Sequence, residues 1–177
     1  MRFSFICHAA LLFFAFMFVI QEIHPEPANS ADSVPEKTIK SDSILHYARQ
    51  FLGVPYQKGG KGPWRFDCSG YAGYVFSKFG YTLASNSASQ YLQGEKVGLD
   101  SLRKGDLVFF KGRNAKSQSV GHVGIVYEVD PANCSFRFIH AAVQGGVRID
   151  DSGHNYYHNR YIGAKRILPS TFFKEEN

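Results

Sequence analysis

Residues His122–His140 read HVGIVYEVDPANCSFRFIH. Two runs rich in β-branched and aromatic residues, His122–Val129 and Ser135–His140, flank Asp130-Pro131-Ala132-Asn133, a cluster of turn formers. That order predicts an antiparallel hairpin. Working outward, Asp106–Lys111 (DLVFFK), Gly146–Ile149 and Tyr161–Leu168 have the same strand character. Upstream the period changes. Ile44, Leu45, Ala48, Phe51 and Leu52 recur at helical spacing, with Ser41 or Asp42 as N-cap and Gly53 as the stop. The Gly- and Pro-rich stretch VPYQKGGKGPWRF, next in the chain, predicts a loop. A second helix is expected from Cys68 through Tyr71, Val75 and Phe76 to Phe79, ended by Gly80. A short third starts near Ser87, which has capping-box spacing to Gln90. Helices first and antiparallel strands afterwards give an α+β class, with helices packed on a mostly antiparallel sheet.

The chain of 177 residues is 44% hydrophobic and 15% aromatic, which favours a packed core over disorder. Its net charge of +5 suits a polyanionic partner such as a bacterial envelope. No Lys/Arg block or nucleic-acid signature is present, so nucleic acid is not expected as a partner. Phe3–Ile20 is a nearly unbroken apolar run behind Arg2, followed by a polar stretch with Ala28-Asn29-Ser30 as a small-x-small cleavage site. Residues 1–30 therefore read as a signal peptide, with an uncleaved membrane anchor as the alternative. Both imply export to the periplasm or cell envelope, or secretion. Membrane contact is expected only if the segment is retained. Residues 31–40 read as a linker, 41–170 as one domain of ordinary size, and 171–177 as a tail. A monomer is expected. Past the leader two cysteines remain, Cys68 and Cys134, and in an oxidising compartment a disulfide is one reading of them.

The other reading is chemical. In Phe66-Asp67-Cys68-Ser69-Gly70 the cysteine opens a helix, where the dipole and unpaired N–H groups favour thiolate and can hold an oxyanion. Ser69 and Gly70 are small and leave room for a substrate. A thiol nucleophile needs a base and a group to orient that base. His122 opens one strand of the expected hairpin and His140 closes the other, so the two are cross-strand neighbours at one end of the sheet. His24, His46, His154 and His158 sit in polar or amphipathic contexts and read as surface residues. A zinc site from Cys68, His122 and His140 is conceivable, although the set lacks the close ligand pair of common zinc motifs. The polar loop Gly112–Gly121 (GRNAKSQSVG) stands just before His122, either flanking a cleft or as plain surface.

Five ordered blocks, GVPYxxGG (53–60), FDCSG (66–70), KGDLVFF (104–110), GHVGI (121–125) and FIHA (138–141), resemble the motifs of the NlpC-type family of papain-like bacterial cell-wall peptidases. The last stretch, Tyr157–Leu168, is also similar to that family's final strand. The resemblance covers roughly 41–168. It implies Cys68 as nucleophile, His122 as base and His140 as the polar residue that orients it. It further implies Tyr56 at the active site assisting the oxyanion, and Asp67 and Ser69 shaping the substrate pocket. In the plainer reading Asp67 is a helix cap. The resemblance implies no metal and no organic cofactor, and it disfavours a Cys68–Cys134 disulfide. The expected partner is the peptide stem of peptidoglycan, cut at the γ-D-glutamyl–diamino acid bond. An N-acetylmuramoyl-L-alanine amidase, an acyl or amide transferase, and a non-catalytic envelope-binding module are the alternatives.

Overall fold

The structure, a computed structural model, describes residues 41–169. The leader expected at 1–30, the linker at 31–40 and the tail at 171–177 lie outside the described residues. The hairpin forms where its turn chemistry places it. Asp130 accepts the Asn133 N–H at 3.3 Å and its side-chain amide at 2.7 Å, and Pro131 opens a single 3-10 turn, Pro131–Asn133. Cys134 then takes a left-handed conformation (φ 48°) that returns the chain.

Three helices come first: α1 (Ser41–Arg49), α2 (Cys68–Ser77) and the single-turn α3 (Ser87–Gln90). After them come β1 (Glu95–Val97), β2 (Leu107–Lys111), β3 (Val120–Asp130), β4 (Ser135–Ala142), β5 (Gly146–Asp151), a one-turn α4 (Asn155–His158) and β6 (Tyr161–Arg166). They build one sheet in the order β1-β6-β2-β3-β4-β5, antiparallel throughout. The α+β class expected from the sequence is the observed one. Two elements differ from expectation. β1 carries only one buried residue, Val97, in three positions, too short for a period-2 signal. α4 is one turn of NYYH between two strands and has no apolar repeat. α1 and α2 also stop sooner than expected, at Arg49 and Ser77, with turns carrying the chain on to Gly53 and Gly80.

The sheet is buried on both faces. On one, Leu107, Phe109, Val123, Ile125, Ile139 and Ala141 pack against Ile44, Leu45 and Ala48 of α1 and Tyr71, Ala72 and Val75 of α2. On the other, Val108, Phe110, Val126, Phe136 and Phe138 form a second cluster, with Tyr157 and Tyr161 packed against it. This is why β2 reads as the continuous apolar run LVFF instead of alternating.

The loop before α2 is clamped onto that helix. Gln57 donates to the Phe66 carbonyl (2.9 Å), and Asp67 donates to the Gly60 carbonyl (2.9 Å). That same Gly60 oxygen rests on the Cα of Gly70, so a Cβ at position 70 would fall inside its van der Waals envelope. Gly70 is small because a backbone carbonyl packs on it. The expected reason, room for substrate, is not the one the structure gives. Gly70→Ala should force the 57–66 loop off α2 and cost about 1–3 kcal/mol by denaturant titration. Wild-type stability in that variant would contradict the clamp.

Candidate active site

Cys68 sits at the first position of α2, and Asp67 is its N-cap in extended conformation (φ −90°, ψ 173°). Asp67 Oδ1 accepts the Gly70 N–H at 2.5 Å and the Ser69 hydroxyl at 2.9 Å. Its Oδ2 accepts the Gly59 N–H at 3.0 Å and the Lys61 ammonium at 3.2 Å. Lys61 also donates to the Ser85 carbonyl at 2.7 Å. The oxygens of Asp67 and Ser69 are thus spent on the helix start. Both hold the first turn of α2, and neither is among the residues that line the cleft containing Cys68.

That cleft, about 600 Å³, is lined by Tyr56, Cys68, His122 and His140 among others. Gly112, Arg113 and Gly121, the two ends of the loop before His122, also line it. His154 is exposed, as its surface reading expects, and also borders this cleft. Tyr56 is held by bridge pairing with Phe66, two residues before Cys68. Burial, then the neighbouring Cys68 and Asp67, push its hydroxyl above the usual tyrosine value, so it stays a donor. Cys68 and Cys134 are both free thiols, and Cys134 is exposed at the hairpin turn.

β3 and β4 bring the two histidines together. Ile125 pairs with Ile139 and Val126 with Phe138. Continued by one residue, this register sets Gly124 against His140. A Cβ on Gly124 would stand 3.3 Å from that of His140 and 2.6 Å from the Phe138 ring. The bare glycine lets the His122 ring reach diagonally across, so that His122 Nε2 lies 2.8 Å from His140 Nδ1. Those two nitrogens are turned on each other and His140 Nε2 on Asp150, and no cluster of three or more His, Cys, Asp or Glu side chains placed to hold a metal ion occurs among the described residues.

Beyond His140 the structure adds residues that the sequence did not flag. Asp150 Oδ2 lies 3.0 Å from His140 Nε2 and accepts the Tyr157 hydroxyl at 2.6 Å. Its Oδ1 accepts Arg148 Nε at 2.8 Å and also Arg148 Nη2. Register explains the set: His140 pairs with Arg148 and Phe138 with Asp150, so residues 148 and 150 share the face of His140. The alternation in GVRIDD was a usable signal only once β5 was paired to β4. Tyr157, on the one-turn α4, had none.

Burial dominates the electrostatics. It pushes the Cys68 thiol up, opposed by backbone N–H groups of Val123, Ser69 and Cys68 itself and reinforced by the Asp67 charge. Burial, then the proximity of His140, lower His122 to about 3 despite the opposing Asp150 charge. Burial also lowers His140, against the pull of Asp150. Desolvation would raise Asp150, but hydrogen bonds from His140, Tyr157 and Arg148 outweigh it and hold the carboxyl well below its usual range. The linkage has one sign. Below an ordinary histidine value of about 6.5 the unfolded chain takes up protons that the folded rings refuse. Stability is therefore full above that value and falls as pH drops toward the folded value of about 3. Urea midpoints measured from about pH 7 to about pH 5 should fall more steeply for wild type than for His122→Gln; equal slopes would contradict the assignment.

A model of the NlpC/P60 family matches residues 53–166. The γ-D-glutamyl-L-lysine dipeptidyl-peptidase of Bacillus cereus is 32% identical over 141 residues, 79% of this chain and 40% of that protein. The murein DD-endopeptidase MepS/murein LD-carboxypeptidase of Escherichia coli is 33% identical over 131 residues, 73% of this chain and 64% of that protein. The probable endopeptidase p60 of Listeria grayi is 44% identical over 98 residues, 55% of this chain and 18% of that protein. The chain thus spans less than two thirds of each of these relatives. The crystal structure of an NlpC/P60 family protein from Bacillus cereus superposes with a TM-score of 0.64 at 32% identity, covering 73% of this chain and 40% of that one. The chain belongs to the NlpC/P60 family and has its papain-like α+β fold.

Proposed function

We propose that the protein is an exported cysteine peptidase that hydrolyses peptide stems of peptidoglycan, cutting between γ-D-glutamate and the diamino acid. The observation that carries this is the meeting in one cleft of a helix-start thiol with a pair of hydrogen-bonded histidines. The names of the Bacillus cereus and Escherichia coli relatives support the substrate class. The apolar run Phe3–Ile20 supports export to the periplasm or cell envelope.

In this reading Cys68 Sγ attacks the amide carbonyl carbon while its proton passes to His122. The oxyanion is held by the backbone N–H of Cys68 and the Tyr56 hydroxyl. His122 returns the proton to the leaving amine, giving a thioester at Cys68, which water then hydrolyses with His122 again as base. Burial raises the thiol and lowers the imidazole, two directions that favour a neutral pair before substrate arrives. Papain-like logic gives the other starting state, a Cys68 thiolate already paired with protonated His122. From the neutral pair, His122 acts as a general base during attack.

Two measurements test the reading. Purified protein and its Cys68→Ala variant are incubated with soluble muropeptides and the fragments weighed by mass spectrometry. Wild type should release fragments ending in D-glutamate while the variant releases none; equal turnover by the two would sink the proposal, and a free lactyl carboxylate would mark an amidase instead. Separately, the ultraviolet thiolate band is titrated as the difference between wild type and Cys68→Ala, which cancels Cys134. The thiolate should appear only above the ordinary thiol value of about 8.5. A band already present at neutral pH would restore the preformed ion pair.

A further inference from the structure

The Cys–His–His set leaves open which nitrogen of His122 is the base. A neutral imidazole carries one proton on either nitrogen, and the hydrogen bond made by the other nitrogen decides which. Here the chain of contacts ends on a carboxylate. Asp150 Oδ2 is 3.0 Å from His140 Nε2, and His140 Nδ1 is 2.8 Å from His122 Nε2. An ionised carboxylate can only accept. Tyr157 and Arg148 both donate to Asp150 and hold it in that form. The proton of neutral His140 must therefore sit on Nε2, which leaves Nδ1 a bare acceptor. Neutral His122 must then carry its own proton on Nε2 to fill the 2.8 Å contact. Its free lone pair is on Nδ1, the nitrogen not engaged by His140.

From this geometry we infer that Asp150 is the positioning residue of the site: acting through His140, it sets the tautomer of both rings and leaves His122 Nδ1 as the base that takes the Cys68 proton. It has a second consequence. When that proton arrives, His122 becomes an imidazolium whose Nε2–H points along the same chain toward a buried negative charge. His140 and Asp150 are nearly inaccessible, with side-chain exposures of 1% and 9%, so water does little to screen this interaction. The charged and titratable groups facing Asp150 are His140 from β4, Arg148 from its own strand and Tyr157 from α4, with His154 packed against Tyr157. Arg148 occupies Oδ1 and Tyr157 shares Oδ2, so the carboxylate is fixed in orientation as well as charge. The carboxylate does not touch the reacting atoms.

The inference rests on the proposed role of Cys68, and its test separates the two. Nitrogen NMR of the full chain with isotope-labelled histidine reads the tautomers directly at neutral pH. Both His122 and His140 should be protonated on Nε2; a proton on Nδ1 of His140 in the wild type overturns the inference. In Asp150→Asn the side-chain amide can donate to His140 Nε2, which reverses both rings and puts the His122 proton on Nδ1. With muropeptide substrate, kcat should then fall on the order of 10³–10⁴-fold, while KM stays within about threefold and the melting transition is retained. Tyr157→Phe leaves the carboxylate and Arg148 in place, so it should keep the wild-type tautomers and lose less than about tenfold. Wild-type kcat in Asp150→Asn alongside an inactive Cys68→Ala defeats the inference alone. Turnover by Cys68→Ala defeats the catalytic reading and leaves the tautomer result standing.

Discussion

The register in which β3 pairs with β4 fixes the arrangement of the site. Ile125 opposite Ile139 and Val126 opposite Phe138 put one apolar set against α1 and α2 and the other into the second cluster. A slip of one residue would exchange the two faces. It would also carry His122 off the face it shares with Phe110, Phe138 and His140. Burial on both sides makes such a slip expensive, so the same apolar contacts that hold the sheet hold the 2.8 Å contact between the histidines. Gly124 completes the constraint by leaving the space in which the two rings meet.

Cys68, the proposed nucleophile, arrives from a separate element whose start is fixed by polar contacts. Asp67 caps α2, Lys61 ties the cap to the Ser85 carbonyl, and Gly60 packs on Gly70. These contacts join the Tyr56 loop to the first turn of α2, so Tyr56 and Cys68 reach the cleft as one unit. The N–H groups that would stabilise an oxyanion are those a helix leaves unpaired at its start. The cleft thus combines a helix terminus with one end of a sheet, and neither alone contains both the thiol and the histidine pair.

Much of this was legible in the residues, and the reasons are specific. The turn Asp130–Asn133 announced the hairpin because Asp and Pro each have a local mechanism there. Cys68 was legible as a helix start because Asp67, a good N-cap residue, stands directly before it. α4, one locally bonded turn, has no apolar repeat to announce it, and β1 was not legible because it forms only by pairing with β6, distant in sequence. Asp150 was hidden for the same reason: nothing in GVRIDD separates it from Asp151 until β5 is laid beside β4. Roles were harder to read than places. The packing reason for Gly70, a carbonyl resting on its Cα, becomes visible only once the 57–66 loop is laid on α2. The lowered proton affinity of His122 depends on burial, which is a property of the assembled sheet.

Chemistry at Cys68 is the claim on which the functional account stands, and a covalent intermediate is its most direct sign. Wild-type protein quenched in acid during turnover of muropeptides should show, by intact mass and peptide mapping, an adduct equal to the acyl half of the substrate on Cys68 and none on Cys134. Hydrolysis that proceeds with no adduct on Cys68 at any quench time, or with the acyl group on another residue, would contradict the account.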